Sequence, residues 1–217
     1  YVVRCGGKAN LLKNAINALP IPKQGSNRLK QEIIFRTYLL NDITGNCLPP
    51  KLLEDGDKCS RFSPLLGSKI SASNDKTNST LSEKSRALIQ MEIDVLASMQ
   101  FGLNLDHLIS IYKEGFHVLV DNDKETFYDK NGRIVFTVNR GLPGVGLARQ
   151  EPKKSTQKGW SDISSMTSGE VTKQSKDDSL TEDEFDLKTI YEAPFNSLDR
   201  PSLYREAWVF FENIRGD

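Results

Sequence analysis

The sequence predicts an α+β chain in two parts. The first, residues 1–110, is expected to be mainly helical, and the second, 111–217, to be built on a β-hairpin and a terminal helix. Three features carry that expectation. Between Ser82 and Phe101, the residues Ala87, Leu88, Met91, Val95, Leu96 and Met99 recur at the spacing of one helical face. Asn131-Gly132 lies between two strand-like arms in 125–138, the strongest short-range hairpin signal. Near the end, Asp199 and Pro201 open a segment carrying Tyr204, Ala207, Trp208, Phe210 and Phe211, and proline is accepted in the first turn of a helix.

Taken in order, Tyr1 to Val3 can end a strand, and Gly6-Gly7 permit a tight turn. Asn10 can cap a helix over Leu11–Leu19, whose Leu11, Leu12, Ala15, Ile16 and Leu19 share a face. Pro20 and Pro22 stop it. A second amphipathic helix is expected over 26–41, with Leu29, Ile33, Ile34, Tyr38 and Leu40 as its apolar stripe. Residues 42–80, rich in Gly, Pro, Asp, Asn and Ser, read mostly as loop. Ser82 can cap the long helix and Gly102 can end it, with Met91 and Met99 in the core; a shorter helix from Leu105 to Tyr112 completes a helical hairpin.

In the second part, Asn131 and Gly132 are expected at the centre of a type I′ turn, with a Gly-rich loop, Asn139 to Arg149, after it. Residues 150–184 are dominated by Ser, Thr, Lys, Asp and Glu and read as a polar insertion rather than core. Tyr191 to Phe195 is expected to be extended.

Composition bounds the function. Hydrophobic residues make up 37% of the 217, which is low for a compact globule, so part of the length is expected to be polar and loosely packed. Lys+Arg and Asp+Glu are equal at 29 each, so nucleic-acid binding cannot be argued from net charge, although neutrality is compatible with a basic face opposite an acidic one. Cys5, Cys47 and Cys59 have no CxxC spacing, and His107 and His117 lie far from them in sequence. The simple reading is reduced cysteines in a cytoplasmic protein, with no metal site. No apolar run approaches the ~20 residues that span a bilayer, and no signal peptide opens the chain, so no membrane partner is expected. A start at Tyr1 rather than Met suggests a fragment or a processed product.

No complete catalytic motif is present. Gly141 to Gly146 (GLPGVG) lacks the Lys-Ser or Lys-Thr of a P-loop and is too short for GxGxxG, so a structural turn is the simpler reading, beside that of a loop whose glycines let it approach a nucleic-acid backbone closely. Asp121, Asp123 and Glu125 do not give the acid, then acid-x-Lys, order of a metal-dependent nuclease strand. No GxSxG occurs. Lys124, Lys130, Arg133, Arg140 and Arg149 cluster near the hairpin, with Phe127 and Tyr128 among them, and such a ribbon can contact phosphates and bases. The plainer alternative is a solvated hairpin surface.

The order of several segments resembles the C-terminal region of large adenine-N6 DNA methyltransferases of restriction-modification and phage-defence systems. The segments are Arg4-Cys5-Gly6-Gly7 through Leu19-Pro20-Ile21-Pro22, and Arg36 to Asn41. They continue with Arg86 to Leu103, containing Glu92-Ile93-Asp94, and Tyr128-Asp129 through Gly132-Arg133-Ile134-Val135-Phe136-Thr137 into GLPGVG. The last are Pro194-Phe195, Asp199-Arg200, Tyr204-Arg205 and Ala207-Trp208. The resemblance implies a bacterial target-recognition part that binds double-stranded DNA, with residues 1–110 completing the recognition domain. The family's Asn/Asp-Pro-Pro-Tyr/Phe loop and its Gly-rich cofactor strand are absent, so no catalytic residue carries over. S-adenosylmethionine and the chemistry are expected in an upstream portion or subunit. By position, Arg4, Lys8 and Asn10 are candidate DNA contacts, joined by Arg140 and Arg149. Two rivals stand beside this: a protein–protein interaction module docking through the terminal helix, and a metal-dependent nuclease half using Asp123 or Glu125.

Overall fold

The structure, a computed structural model, describes residues 26–41, 60, 62–69, 81–138, 145–150, 157–177 and 185–215. The expected strand at 1–3 and the helix over 11–19 lie outside the described residues. The architecture is α+β, with three antiparallel strand pairs set between the helices along the described residues.

Helices α1 (Asn27–Asn41), α2 (Glu83–Gln100), α3 (Leu105–Gly115), α4 (His117–Lys124) and α6 (Arg200–Arg215) build the first core. Of the predicted face of α2, Leu88, Met91, Val95, Leu96 and Met99 are buried and Ala87 is half-buried. Ser82 caps it by accepting from the Ser85 N–H, and Gly102 follows its last turn with φ +70°. Helix α2 packs against α1, α3 and α6. Helix α3 runs past the expected Tyr112 to Gly115, and α4 had no counterpart in the sequence reading. From α6, Tyr204, Ala207, Trp208 and Phe211 enter the same core as Leu29 of α1. The first core therefore draws on both sides of residue 110.

The stripe expected on α1 is corrected. Leu29, Glu32, Phe35, Arg36 and Leu39 are buried, while Ile33, Ile34, Tyr38 and Leu40 are only half-buried. The helix is turned so that a charged pair faces inward, because partners for both charges lie inside. Arg36 donates to Glu92 Oε2 at 2.6 Å, to Glu32 Oε2 at 2.5 Å and to the Phe62 carbonyl at 2.9 Å. Glu32 accepts the Ser60 N–H at 2.6 Å, and Glu92 accepts the Leu65 N–H at 3.0 Å and the Ser63 hydroxyl. These bonds clamp a small hairpin, β1 (Phe62–Ser63) with β2 (Ser68–Lys69), which lies within the segment read as loop.

The second core collects Val135, Phe136, Leu147, Trp160, Ile163, Val171, Tyr191, Ala193 and Phe195. Its frame is two hairpins, β3 (Phe127–Tyr128) with β4 (Ile134–Phe136) and β5 (Glu170–Asp177) with β6 (Phe185–Glu192), and a short helix α5 (Trp160–Ile163). The stretch 150–184, read as a polar excursion, supplies Trp160, Ile163 and Val171 to this core. Single apolar residues in a polar run were enough, because Trp160 alone meets Phe127, Phe136 and Phe195.

The β3–β4 hairpin stands where predicted, but its turn differs. The Gly132 N–H donates to the Asp129 carbonyl and the Asp129 N–H to the Arg133 carbonyl. Lys130 and Asn131 thus hold the two central positions, and Gly132, φ +80°, takes the left-handed position of a three-residue loop. A Cβ on Gly132 would lie 2.4 Å from Ser82 Oγ, so only glycine lets the turn approach the start of α2 this closely. There the Lys84 N–H donates to the Gly132 carbonyl at 2.9 Å. The turn joins the two cores.

Candidate functional site

Of the residues singled out as DNA contacts, Arg4, Lys8, Asn10 and Arg140 lie outside the described residues. Arg149 is described, and its surroundings can be built from the backbone outward.

From Val145 the described chain lies against β4. A Cβ on Gly146 would meet the Val135 carbonyl oxygen at 2.4 Å, so the chain needs glycine there; Gly146 has φ +69°. The Leu147 N–H then donates to that carbonyl at 2.7 Å. The next residues are tied to α5: the Trp160 N–H donates to the Ala148 carbonyl at 2.8 Å, and the Ser161 N–H and hydroxyl donate to the Arg149 carbonyl at 3.0 and 2.9 Å. On this fixed backbone the Arg149 guanidinium lies over the Phe136 ring, 5.0 Å from its centroid. Trp160 stacks on the same ring at 5.3 Å. Arg149 donates to Glu125 Oε2 at 2.6 Å, with both side chains at least half exposed. An exposed pair of this kind contributes about 0–1 kcal/mol.

The other charged clusters are internal ties. Arg200 grips Asp123 through Nε at 2.6 Å and Nη2 at 3.2 Å, and reaches Asp94 at 3.3 Å. Tyr112 donates to Asp123 at 3.0 Å and Tyr204 to Asp94 at 2.8 Å. This knot joins α2, α3, α4 and α6. Arg133 is held by Asp129 at 2.7 Å and by the Ile190 carbonyl, and its guanidinium lies over Tyr191. Several described residues singled out in the sequence are therefore structural: Glu92 and Asp94 make ion pairs, Tyr128 and Asp129 are buried, and Tyr204, Ala207 and Trp208 are core.

These contacts bear on the two rivals. Asp123 is occupied by Arg200 and Tyr112, and Glu125 by Arg149. Among the described residues no group of three His, Cys, Asp or Glu side chains could hold a metal ion. The aromatic residues expected to dock a partner, Tyr204, Trp208 and Phe211, face inward. Among the described residues no helix is long and apolar enough to cross a membrane.

The buried tyrosines set a pH response. Burial pushes the Tyr112 and Tyr204 phenols up, and the neighbouring Asp123 and Asp94 push them further. Burial likewise pushes Tyr128 up to about 12 and raises Tyr191. An unfolded tyrosine ionises near 10.0, so above that pH the unfolded chain binds fewer protons than the folded one and stability falls as pH rises. Tyr128 is expected to remove up to about 1.4 kcal/mol per pH unit between 10.0 and about 12. Melting temperature followed from pH 9 upward should decline from about 10, and Tyr128→Phe should make the decline shallower. A flat profile to pH 12 would show these phenols to be hydrated.

What sequence reasoning missed at the site is Glu125 and Phe136. In the sequence Glu125 stands only as a candidate metal carboxylate, because its pairing with Arg149 depends on Leu147 lying against β4. No protein-family model, curated protein or solved structure matches this chain.

Proposed function

We propose that this chain is the DNA-recognition and C-terminal portion of an S-adenosylmethionine-dependent adenine-N6 DNA methyltransferase of a bacterial restriction-modification or phage-defence system, acting in the cytoplasm. Its partner is double-stranded DNA. An upstream portion or subunit holds S-adenosylmethionine and performs methyl transfer; this chain contributes no catalytic residue.

The observation that supports the reading is the mutual fit of segments far apart in sequence. Of those carrying the resemblance, 86–103 meets 194–208 where Arg200 and Tyr204 reach Asp94, and 128–137 meets 194–208 through the paired backbone bonds of Tyr128 and Asn196. A frame joined in this way fixes the flanks of the Gly-rich segment, and recognition needs contact groups on rigid supports.

Salt-dependent titration of duplex DNA, with the chain alone and joined to the upstream polypeptide, tests the reading. Affinity is expected to fall steeply with salt, and Arg4→Ala or Lys8→Ala to weaken binding about uniformly across sequences. If the chain can be removed from the joined protein without loss of DNA binding or target choice, the reading fails.

A further inference from the structure

We infer that Glu125 occupies, within the free protein, the place that a DNA phosphate takes on Arg149, so that Glu125 acts as an internal competitor weakening DNA binding until the duplex displaces it. This rests on the DNA-recognition reading and names a contact and its regulation within it.

Three observations point the same way. First, Arg149 is prepared in advance. Its backbone carbonyl accepts two bonds from Ser161, and its guanidinium lies over Phe136, whose ring is itself stacked on Trp160. A guanidinium held over a ring still has N–H groups for oxygen acceptors, and a phosphate is an acceptor of that kind. Second, the present acceptor is easily displaced. The side chains of Arg149 and Glu125 are 58% and 50% exposed, against 0% for both Arg36 and Glu92, so water and salt screen the first pair and not the second. Third, the local sequence is basic within a neutral chain. Between positions 140 and 158 the sequence has five basic residues, Arg140, Arg149, Lys153, Lys154 and Lys158, and one acid, Glu151. Glu125 comes from outside that stretch, at the end of α4.

A carboxylate and a phosphate offer the same guanidinium the same kind of oxygen. The phosphate adds release of condensed counterions, which the carboxylate does not. Exchange of one for the other is therefore favoured where phosphates are concentrated, along a duplex.

The experiment is a double-mutant cycle on the full protein, read by binding of a fluorescent duplex at several salt concentrations. Glu125→Gln keeps shape and removes the competing charge; it is expected to tighten binding roughly two- to five-fold, the fold-change corresponding to loss of an exposed ion pair. Arg149→Ala is expected to weaken binding and lower the salt slope by about 0.9, one phosphate fewer. In the Arg149→Ala background, Glu125→Gln is expected to change nothing. An equal gain in both backgrounds would mean that Glu125 acts only as a distant negative charge, and would overturn the inference. So would a flat Glu125/Arg149 cycle while Arg4→Ala or Lys8→Ala weakens binding; the recognition reading would then survive alone. A full protein that does not bind duplex DNA overturns both.

Discussion

Arg36→Met is expected to cost about 3–5 kcal/mol of stability, the range for removing one partner from a buried ion pair. The substitution keeps most of the side-chain length but leaves Glu32 and Glu92, each fully buried, without their shared cation. Both carboxylates would be left buried without a countercharge. Against a typical total of about 5–15 kcal/mol, the loss is a large fraction of what holds a domain together. Replacing Glu32, Arg36 and Glu92 together by apolar residues is not expected to restore stability, as it does for some isolated buried pairs. Here the carboxylates also accept the Ser60 and Leu65 N–H groups, and Arg36 satisfies the Phe62 carbonyl, so the β1–β2 hairpin would lose its anchors. Urea denaturation of the wild type and both variants checks this. A loss below about 1 kcal/mol for Arg36→Met would mean that the carboxylates are already hydrated.

Phe211→Ala is expected to cost about 3–5 kcal/mol, through lost burial and the cavity left at the centre of the first core. Phe211 is fully buried, and the Arg36 guanidinium lies over its ring at 4.7 Å. The two losses should therefore not add. Arg36 keeps its carboxylates in the Phe211→Ala protein but loses its aromatic support, so the double variant should differ from the sum of the singles by about 0.5–3 kcal/mol. Strict additivity would show that the ring and the guanidinium are energetically independent despite their contact.

The sequence showed elements whose determinants are local. Helix α2 was readable because its apolar residues, its Ser82 cap and Gly102 all agree within one stretch. The β3–β4 hairpin was readable from Asn131-Gly132, although the hydrogen bonds place Gly132 one position later in the turn than expected. The inward face of α1 was not readable. Glu32 and Arg36 look like a solvent-facing i, i+4 pair until Glu92, 56 residues away, is brought beside them. The core role of Trp160 and Val171 was hidden for a similar reason, since a lone apolar residue among Ser, Thr and Lys has no period to announce it. Arg149 was named as a candidate from its place after the Gly-rich segment. That it rests on Phe136 and faces Glu125 depends on the Leu147 bond to Val135, which no local pattern encodes.

The first core also constrains how the chain is made. Leu29 and Leu88 emerge from the ribosome long before Tyr204, Trp208 and Phe211, yet all five share one core. Helices α1 and α2 must therefore wait, with apolar surface uncovered, until α6 has been synthesised. Vectorial synthesis gives a nascent chain that stalls before α6 no route to this core, and such a chain is a natural client for chaperones.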